Sequence, residues 1–316
     1  MLHDSFETLT RRTDLRLRNF FPIEELVKKI FRETYGVEAD ELYHNDELCK
    51  KIRDAVKSLR LSYQSNVCVT DYNVKENRKA YMISYYPYFI APAFHVAQTC
   101  LKQNLPPSDG KWVFFACGPC PELLGIAQIL PSPLSVITLD LEQKWFPYQH
   151  MTNKFCKDFG LKSRLKFWYN FEIGNSLPKG INLEFQNELC NANIFFMQNY
   201  LSHLSPTPEN VNKFLAWFSA WVNVAKDGAC FVFIDLNYGS TNEVFNKFDD
   251  KNFLRQNDLK IVDAHIPAFG NPLEVHHTDT APAIGEKIFT GEYGLVKRFL
   301  TKFYFVVLKK ISGVIK

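Results

Sequence analysis

Two cysteines and one aspartate have the residue types and the spacing that best suit chemistry in this chain. Cys117 and Cys120 stand in the sequence Cys-Gly-Pro-Cys, a spacing at which two thiols can form a disulfide or ligate one metal ion. Asp140 ends an apolar segment about twenty residues after the glycine, where an acid in nucleotide-binding folds accepts hydrogen bonds from a ribose. No second Cys-x-x-Cys and no histidine pair at zinc spacing completes a metal site, so we expect no bound metal.

The elements around these residues form a strand, a turn and a helix. The apolar residues 112–115 predict a strand, Gly118 and Pro119 predict a tight turn, and a helical pattern begins at Pro121. This arrangement directs backbone N–H groups and the positive end of a helix dipole towards a ligand. The apolar residues 134–139 predict a second strand, which places Asp140 beside the turn.

The segment from Ala116 to Pro121, Ala-Cys-Gly-Pro-Cys-Pro, resembles the glycine-rich motif I of class I S-adenosylmethionine (SAM) methyltransferases. Ala116 and Cys120 replace the first and third glycines of that motif, and Phe114 stands where the family usually has an acid. The resemblance covers roughly residues 80–310. It implies a doubly wound, seven-stranded, mostly parallel α/β sheet whose last strand is antiparallel, with Gly291–Gly294 in the loop of a hairpin.

Cys-Gly-Pro-Cys also matches the redox motif of thioredoxins. We expect the motif to be structural, with a Cys120 that still reacts with alkylating agents, because a helix N-terminus lowers the pKa of a thiol. The thioredoxin motif is usually accompanied by a tryptophan, where this chain has Ala116, and by a proline before a downstream strand, which the strand at 165–169 lacks. The chain also continues through several more β/α units than a thioredoxin domain holds. We therefore favour the methyltransferase resemblance and keep the dithiol oxidoreductase as an alternative.

Composition and charge bound the class of protein. The chain has 316 residues, 46% apolar and 22% charged, with a net charge of +3 that neither requires nor excludes a nucleic acid. The eight cysteines are mostly scattered, which favours free thiols in a reducing compartment. The N-terminus carries acids and no apolar run, and the uncharged residues 80–101 contain prolines and polar side chains. We expect this segment to be buried or to line a pocket, and the protein to be cytoplasmic.

The pattern of elements changes near residue 105. Residues 1–105 are predicted to form a helical N-terminal cap, with helices starting near Pro22, Asn45 and Pro92. Residues 106–316 alternate strands and helices, which predicts βαβ units with a mostly parallel sheet. The resemblance implies that these residues form a Rossmann-like SAM-binding methyltransferase domain. The seven predicted strands are 112–115, 135–139, 165–169, 193–197, 229–234, 259–264 and 302–308.

The resemblance implies a set of cofactor-binding residues. The turn from Ala116 through Cys117 to Gly118 would contact SAM, Asp140 would bind the ribose, and Leu141 would pack on the adenine. Asn170, with Glu172 as its competitor, would contact the adenine amine; Gln198 and Asn199 would position the sulfonium or a substrate amine; and Tyr85 would stack on a ring. The alternatives are a helix cap or surface acid for Asp140, a loop cap for Asn199, and plain core for Tyr85 and its neighbours Tyr81, Tyr86, Tyr88 and Phe89.

His203 and Tyr200 are the candidate catalytic residues, His203 because an unperturbed imidazole titrates near neutral pH. His276, His277 and Asp279 predict a substrate loop rather than a metal site. We expect methyl transfer from SAM to an unidentified acceptor, with a lean towards a small molecule over nucleic acid. A non-catalytic SAM-binding scaffold is the alternative from another class. No membrane partner is expected.

Overall fold

A computed structural model of the chain describes residues 16–18, 22–63, 70–103, 105, 110–130, 134–174, 183–277 and 281–312. Within these residues the strands join in one nine-stranded sheet. The strands are β1 (Arg16–Arg18), β2 (Lys111–Phe115), β3 (Leu134–Leu139), β4 (Ser163–Trp168), β5 (Ile194–Gln198), β6 (Cys230–Asp235), β7 (Leu259–His265), β8 (Leu273–His276) and β9 (Leu300–Lys310).

Among the described residues, four helices precede β2, and most of the other helices alternate with the strands. They are α1 (Ile23–Tyr35), α2 (Asp46–Ser62), α3 (Lys75–Ser84), α4 (Ile90–Lys102), α5 (Pro121–Ala127), α6 (Phe146–Asp158), α7 (Leu183–Cys190), α8 (Pro208–Val224), α9 (Gly239–Phe248), α10 (Lys251–Gln256) and α11 (Pro282–Lys287). None of the described helices is both long and apolar enough to cross a membrane.

The main sheet has the strand order β4-β3-β2-β5-β6-β9-β7. The first five of these strands are mutually parallel, and β9 runs antiparallel to both β6 and β7. The order reverses between β2 and β5, which is the topological switch point of a doubly wound sheet. The predicted seven-stranded sheet with an antiparallel last strand is thus confirmed.

The central strands β2, β3, β5 and β6 are buried on both faces of the sheet, and their side chains alternate between the two faces. Trp112 and Phe114 of β2 join a core that also contains residues of α1, α2, α4 and α5. Val113 and Phe115 join a second core on the other face, formed mainly with α8 and α9. This two-sided burial explains why the strands are nearly continuous apolar runs. It also means that the N-terminal helices share one hydrophobic core with the sheet.

Several predicted elements differ from the observed ones. Residues 16–18 form a strand rather than part of a helical cap, because they pair in parallel with β8, a strand the sequence did not predict. The helix expected from Pro92 begins at Ile90, and α3 precedes it. Residues 291–293 form a 3-10 helix in the long connection from β8 to β9, and no tight hairpin joins β7 to β9 in the described residues. The part of the predicted cap at residues 1–15 lies outside the described residues.

A glycine allows α4 to pack closely against α5. A Cβ atom added at Gly125 would lie 2.4 Å from the carbonyl oxygen of Ile90 and 2.9 Å from the backbone nitrogen of Phe94. Real Cβ atoms do not approach backbone atoms so closely, so only glycine fits here. This contact fixes the N-terminal helices relative to the turn that precedes α5.

Candidate functional site

The turn between β2 and α5 has a left-handed backbone at three of its residues. Ala116, Gly118 and Cys120 have φ values of 47°, 51° and 66°. Ala116 and Cys120 stand where the family that the segment resembles has glycines, so this turn has a glycine-type conformation at two residues that are not glycine. Left-handed non-glycine residues cost on the order of 1 kcal/mol each and cluster at functional sites.

The polar groups of this turn are largely occupied within the protein. The N–H of Gly118 donates to Oδ2 of Asp140 at 2.7 Å, and the N–H of Cys120 donates to the carbonyl of Cys117 at 2.7 Å. The expectation that these N–H groups point at a ligand is therefore wrong for both residues. Their bonds hold the turn against the end of β3.

Side chains of α6 bind the carbonyl side of the turn. Gln149 Nε2 donates to the carbonyl of Gly118 at 2.7 Å, and the Thr152 hydroxyl donates to the carbonyl of Pro119 at 2.6 Å. The Tyr86 hydroxyl lies 2.7 Å from the same threonine oxygen. The indole of Trp145, in the 3-10 turn that leads into α6, lies over Gly118. The turn is therefore held in place by α6, by the 3-10 turn before α6 and by Asp140 after β3.

Asp140 lies at the carboxyl end of β3, and its carboxylate accepts two backbone hydrogen bonds. Besides the bond from Gly118, Oδ1 accepts from the N–H of Glu142 at 2.9 Å. Burial raises the pKa of Asp140 to about 6, and its hydrogen bonds from Glu142 and Gly118 limit this rise. The carboxylate is thus mostly ionised at pH 7. Each oxygen has a second lone pair, which leaves capacity for hydroxyl donors from a ligand.

The two thiols of Cys-Gly-Pro-Cys are buried and protonated. Burial raises the pKa of Cys117 to about 11 and places that of Cys120 well above its usual value. The prediction of a lowered pKa for Cys120 is therefore wrong, because burial of the thiol, its hydrogen bond with Cys117 and the nearby Glu122 all raise that pKa. A nucleophilic dithiol needs a thiolate, so these values oppose the oxidoreductase reading.

Glu122 is a buried acid that the sequence interpretation did not single out. It is 2% exposed, and burial raises its pKa to about 8, with a further contribution from the charge of Asp140. Possible ligand atoms of Glu122, Cys117 and Cys120 lie within 4.8 Å of one another, so the turn before α5 and the first turn of that helix bring two thiols and a carboxyl group together. The only local signal was a glutamate at the second position of an otherwise apolar helix.

Residues of this turn, together with Glu122 and Asp140, line one cavity of about 230 Å³, which we call the first cavity. It lies at the carboxyl ends of β2, β3 and β5, the edge where open α/β sheets bind ligands. It brings together nine of the eleven predicted site residues: Ala116, Cys117, Gly118, Asp140, Leu141, Gln198, Asn199, Tyr200 and His203. Further lining residues that the prediction missed are Tyr72, Tyr81, Pro119, Pro121, Glu122, Glu142 and Trp145.

Asn170 and Tyr85 do not line the first cavity. Asn170 is exposed after β4 in a left-handed conformation, with φ 59°. Tyr85 is buried and stacks on Tyr63 with ring centroids 4.6 Å apart. Tyr81, four residues earlier in α3, lines the cavity instead. The two tyrosines point to the same side, but Tyr81 lies one helical turn before Tyr85.

The two predicted catalytic residues lie together at the end of β5. Burial lowers the pKa of His203 to about 4, so the imidazole is neutral at pH 7. The prediction of a histidine titrating near neutrality is wrong for this reason. Burial also raises the pKa of Tyr200. Gln198 donates from Nε2 to the carbonyl of Phe89 at 2.7 Å, and its Oε1 has no hydrogen-bond partner among the described residues.

The predicted histidine loop does not form one cluster. His276 ends β8 and is exposed, whereas His277 is buried and its Nε2 lies 2.8 Å from the Thr301 hydroxyl. Asp279 lies outside the described residues.

Comparisons with known proteins find likeness in structure and not in sequence. No family model matches the chain, and no curated protein matches it. A precorrin-6y C5,15-methyltransferase from Geobacter metallireducens is 10% identical with a TM-score of 0.40, covering 69% of this chain and 87% of its own. A SAM-dependent methyltransferase from Aquifex aeolicus is 14% identical with a TM-score of 0.39, covering 70% and 92%. A SAM-dependent O-methyltransferase from Thermotoga maritima is 11% identical with a TM-score of 0.40, covering 71% and 66%.

With TM-scores of this size, the assignment of the fold depends on the sheet itself. Five parallel strands reverse their order between β2 and β5, helices cover both faces, and the last strand is antiparallel. The chain therefore has a doubly wound, Rossmann-like fold, and its sheet agrees with the one that the methyltransferase resemblance implies.

Proposed function

We propose that the protein transfers a methyl group from SAM to a small-molecule acceptor. The observation that carries the proposal is the first cavity, which lies at the topological switch point and joins the turn after β2 to Asp140 after β3 and Gln198 after β5. Nucleotide-type ligands bind at this place in doubly wound sheets.

The hydrogen-bond acceptors of the first cavity fit SAM. The ionised Asp140 supplies acceptor oxygens for ribose hydroxyls, and Gln198 Oε1, which has no partner in the described residues, suits the ammonium group of the methionine part. Glu122 also lines the cavity and adds a second carboxyl group to it. The cavity of about 230 Å³ is smaller than most ligand pockets, which span roughly 300–1,000 Å³. A nucleoside must therefore extend through the mouth at Leu141, which is 51% exposed.

SAM supplies an electrophilic methyl group, and the role of the protein is to position an acceptor and exclude water. Tyr72, Tyr81 and Trp145 provide an aromatic wall over the cavity. Tyr72 and Tyr81 belong to the N-terminal part of the chain, so we propose that residues up to about 105 act as the cap that covers the site. The neutral imidazole of His203 is in the form that can accept a proton from an acceptor hydroxyl or amine.

Calorimetry with S-adenosylhomocysteine tests the cofactor site, and Asp140→Asn is the informative variant. We expect it to weaken binding by roughly 1–3 kcal/mol, because ribose hydroxyls lose a charged acceptor. Asp235→Asn is the matched control. Asp235 ends β6 of the same sheet, is also buried, and also accepts two backbone bonds, from Leu236 at 2.7 Å and Ser202 at 3.2 Å, but it does not line the cavity.

Equal affinities in the two variants would show that Asp140 acts only in folding, and no binding by the folded wild type would refute the cofactor. Transfer of labelled methyl from SAM into a mixture of small acceptors then separates an enzyme from a scaffold. Binding without transfer to any acceptor favours the non-catalytic alternative. The occupied N–H groups of Gly118 and Cys120 are the observation on its side.

A further inference from the structure

A second cavity, of about 690 Å³, lies beside the first. Its lining includes four cationic side chains, and no aspartate or glutamate is among its described lining residues. The cations are Arg60 from the end of α2 and Lys297, Arg298 and Lys302 from β9 and the segment before it. In a protein with a net charge of only +3, this is a local concentration of positive charge in a concave site.

Aromatic rings separate the two cavities. Tyr63 lines the second cavity, and its ring meets the edge of His203, which lines the first, with centroids 5.9 Å apart. Tyr85 of the second cavity stacks on Tyr81 of the first at 5.6 Å. At each of these two places, one pair of rings in contact separates the cavities. A molecule that displaces Tyr63 would reach from the second cavity to the first.

The two arginines are held in place by contacts that leave their charge unneutralised. Arg60 donates to the carbonyl of Val296 at 2.7 Å and lies over the ring of Phe289 at 5.1 Å. Arg298 lies over the ring of Tyr85 at 4.7 Å. Neither arginine forms an ion pair in the part of the chain that the structure describes, whereas Lys302 pairs with Glu274 at 2.7 Å.

Burying a cation without a counter-charge is unfavourable. Arg60 is partly buried, and this desolvation lowers its pKa. A guanidinium group presents parallel N–H donors that match the two oxygens of a carboxylate or phosphate. An anionic ligand would therefore supply the charge that the described protein residues do not.

We propose that the second cavity binds the methyl acceptor and that the acceptor carries a carboxylate or phosphate group. Arg60 and Arg298 bind this group, and the apolar part of the molecule packs on the exposed side chains of Val296 and Phe299 in the cavity wall. The nucleophilic end then approaches the first cavity at the contact between Tyr63 and His203. The inference depends on the proposed methyl transfer, since without it the cavity is an anion site with no assigned reaction.

The test measures the binding of three probes by calorimetry, namely benzoate, phenyl phosphate and the uncharged benzyl alcohol. We expect at least one anion to bind more tightly than the alcohol, and the comparison of the two anions identifies the acceptor class. Arg60→Gln and Arg298→Gln should each weaken that binding by about tenfold or more, the value of a charge-assisted hydrogen bond.

Arg53→Gln is the matched control. Arg53 is on the same helix as Arg60, likewise donates to a backbone carbonyl, that of Lys287 at 2.9 Å, and likewise lies over a ring, that of Tyr293 at 4.0 Å. It does not line the cavity. Its variant should keep anion affinity. Melting curves show whether each of the three variants folds. If Arg60→Gln unfolds, Arg298→Gln still tests the proposal, because Arg298 lies in a partly exposed segment.

The proposal is overturned if neither anion binds more tightly than benzyl alcohol. It is also overturned if the Arg60 and Arg298 variants bind the anion as tightly as the Arg53 variant does. S-adenosylhomocysteine binding is measured on the same samples and should be unchanged in all three variants. Anion binding without S-adenosylhomocysteine binding refutes the proposed function and leaves the anion site. The reverse result refutes the acceptor site and leaves the proposed function.

Discussion

The buried carboxyl of Glu122 should make the protein less stable as the pH rises from 6.5 to 8. An acid whose pKa is raised in the folded state stabilises the fold below its unfolded pKa, and this stability is lost as the pH rises through the folded pKa. The pKa of Glu122 rises from 4.5 to about 8. Between pH 6.5 and 8 this shift corresponds to a loss of roughly 1.5 kcal/mol of unfolding free energy.

Other buried groups nearly cancel one another over the same range. The pKa of Asp235 is raised to about 7, which costs roughly a further 0.8 kcal/mol. The pKa values of His203 and His277 are lowered to about 4 and about 3, so these groups add stability as the unfolded histidines lose their protons. Together they return roughly 0.8 kcal/mol. Asp140 and the buried thiols, whose pKa values are also raised, cost roughly a further 0.4 kcal/mol. The net fall should therefore be slightly larger than the contribution of Glu122 alone.

Urea unfolding at pH 6.5, 7.25 and 8 measures this fall in the wild type and in Glu122→Gln. The variant carries a neutral side chain of the same shape, so its unfolding free energy should change by less than about 0.5 kcal/mol over the range. Glu209→Gln, which alters an exposed acid in the first turn of α8, is the control and should keep the wild-type fall. A fall of equal size in all three proteins would refute the assignment of the pH dependence to Glu122.

Three further predictions concern the turn after β2 and its support. Gly125→Ala should destabilise the protein by about 2 kcal/mol or more in urea unfolding, because the added Cβ meets the backbone of α4; a neutral effect would contradict this packing. Ala116→Gly should stabilise it by up to about 1 kcal/mol, since φ is 47° at this position, and a loss of stability would show that the methyl group packs usefully. Cys117 and Cys120 should react with a thiol reagent under native conditions more slowly than the partly exposed Cys190, as mass spectrometry of labelled peptides can test, and faster labelling of the pair would revive the oxidoreductase reading.

Local sequence patterns determined most of the elements that position the site. The strand, turn and helix around Gly118 were predicted because the apolar run, the Gly-Pro pair and the helical periodicity act over a few residues. The position of Asp140 followed from the same local logic. The strands buried on both faces were predictable because each is a short apolar run between turn residues. The strands β1 and β8 were missed because a three- or four-residue strand depends on its pairing partner rather than on its own pattern.

Tertiary packing alone decided the chemical state of the site. The pKa values of Cys117, Cys120, Glu122 and His203 depart from their ordinary values mainly through burial, and the extent of burial depends on residues distant in sequence. For the same reason the sequence could name an aromatic cluster in the N-terminal region but not which ring faces which cavity. The meeting of Arg60 with Arg298, which are far apart in the chain, depends on how the end of α2 packs against the segment before β9, and no pattern along the chain records that contact.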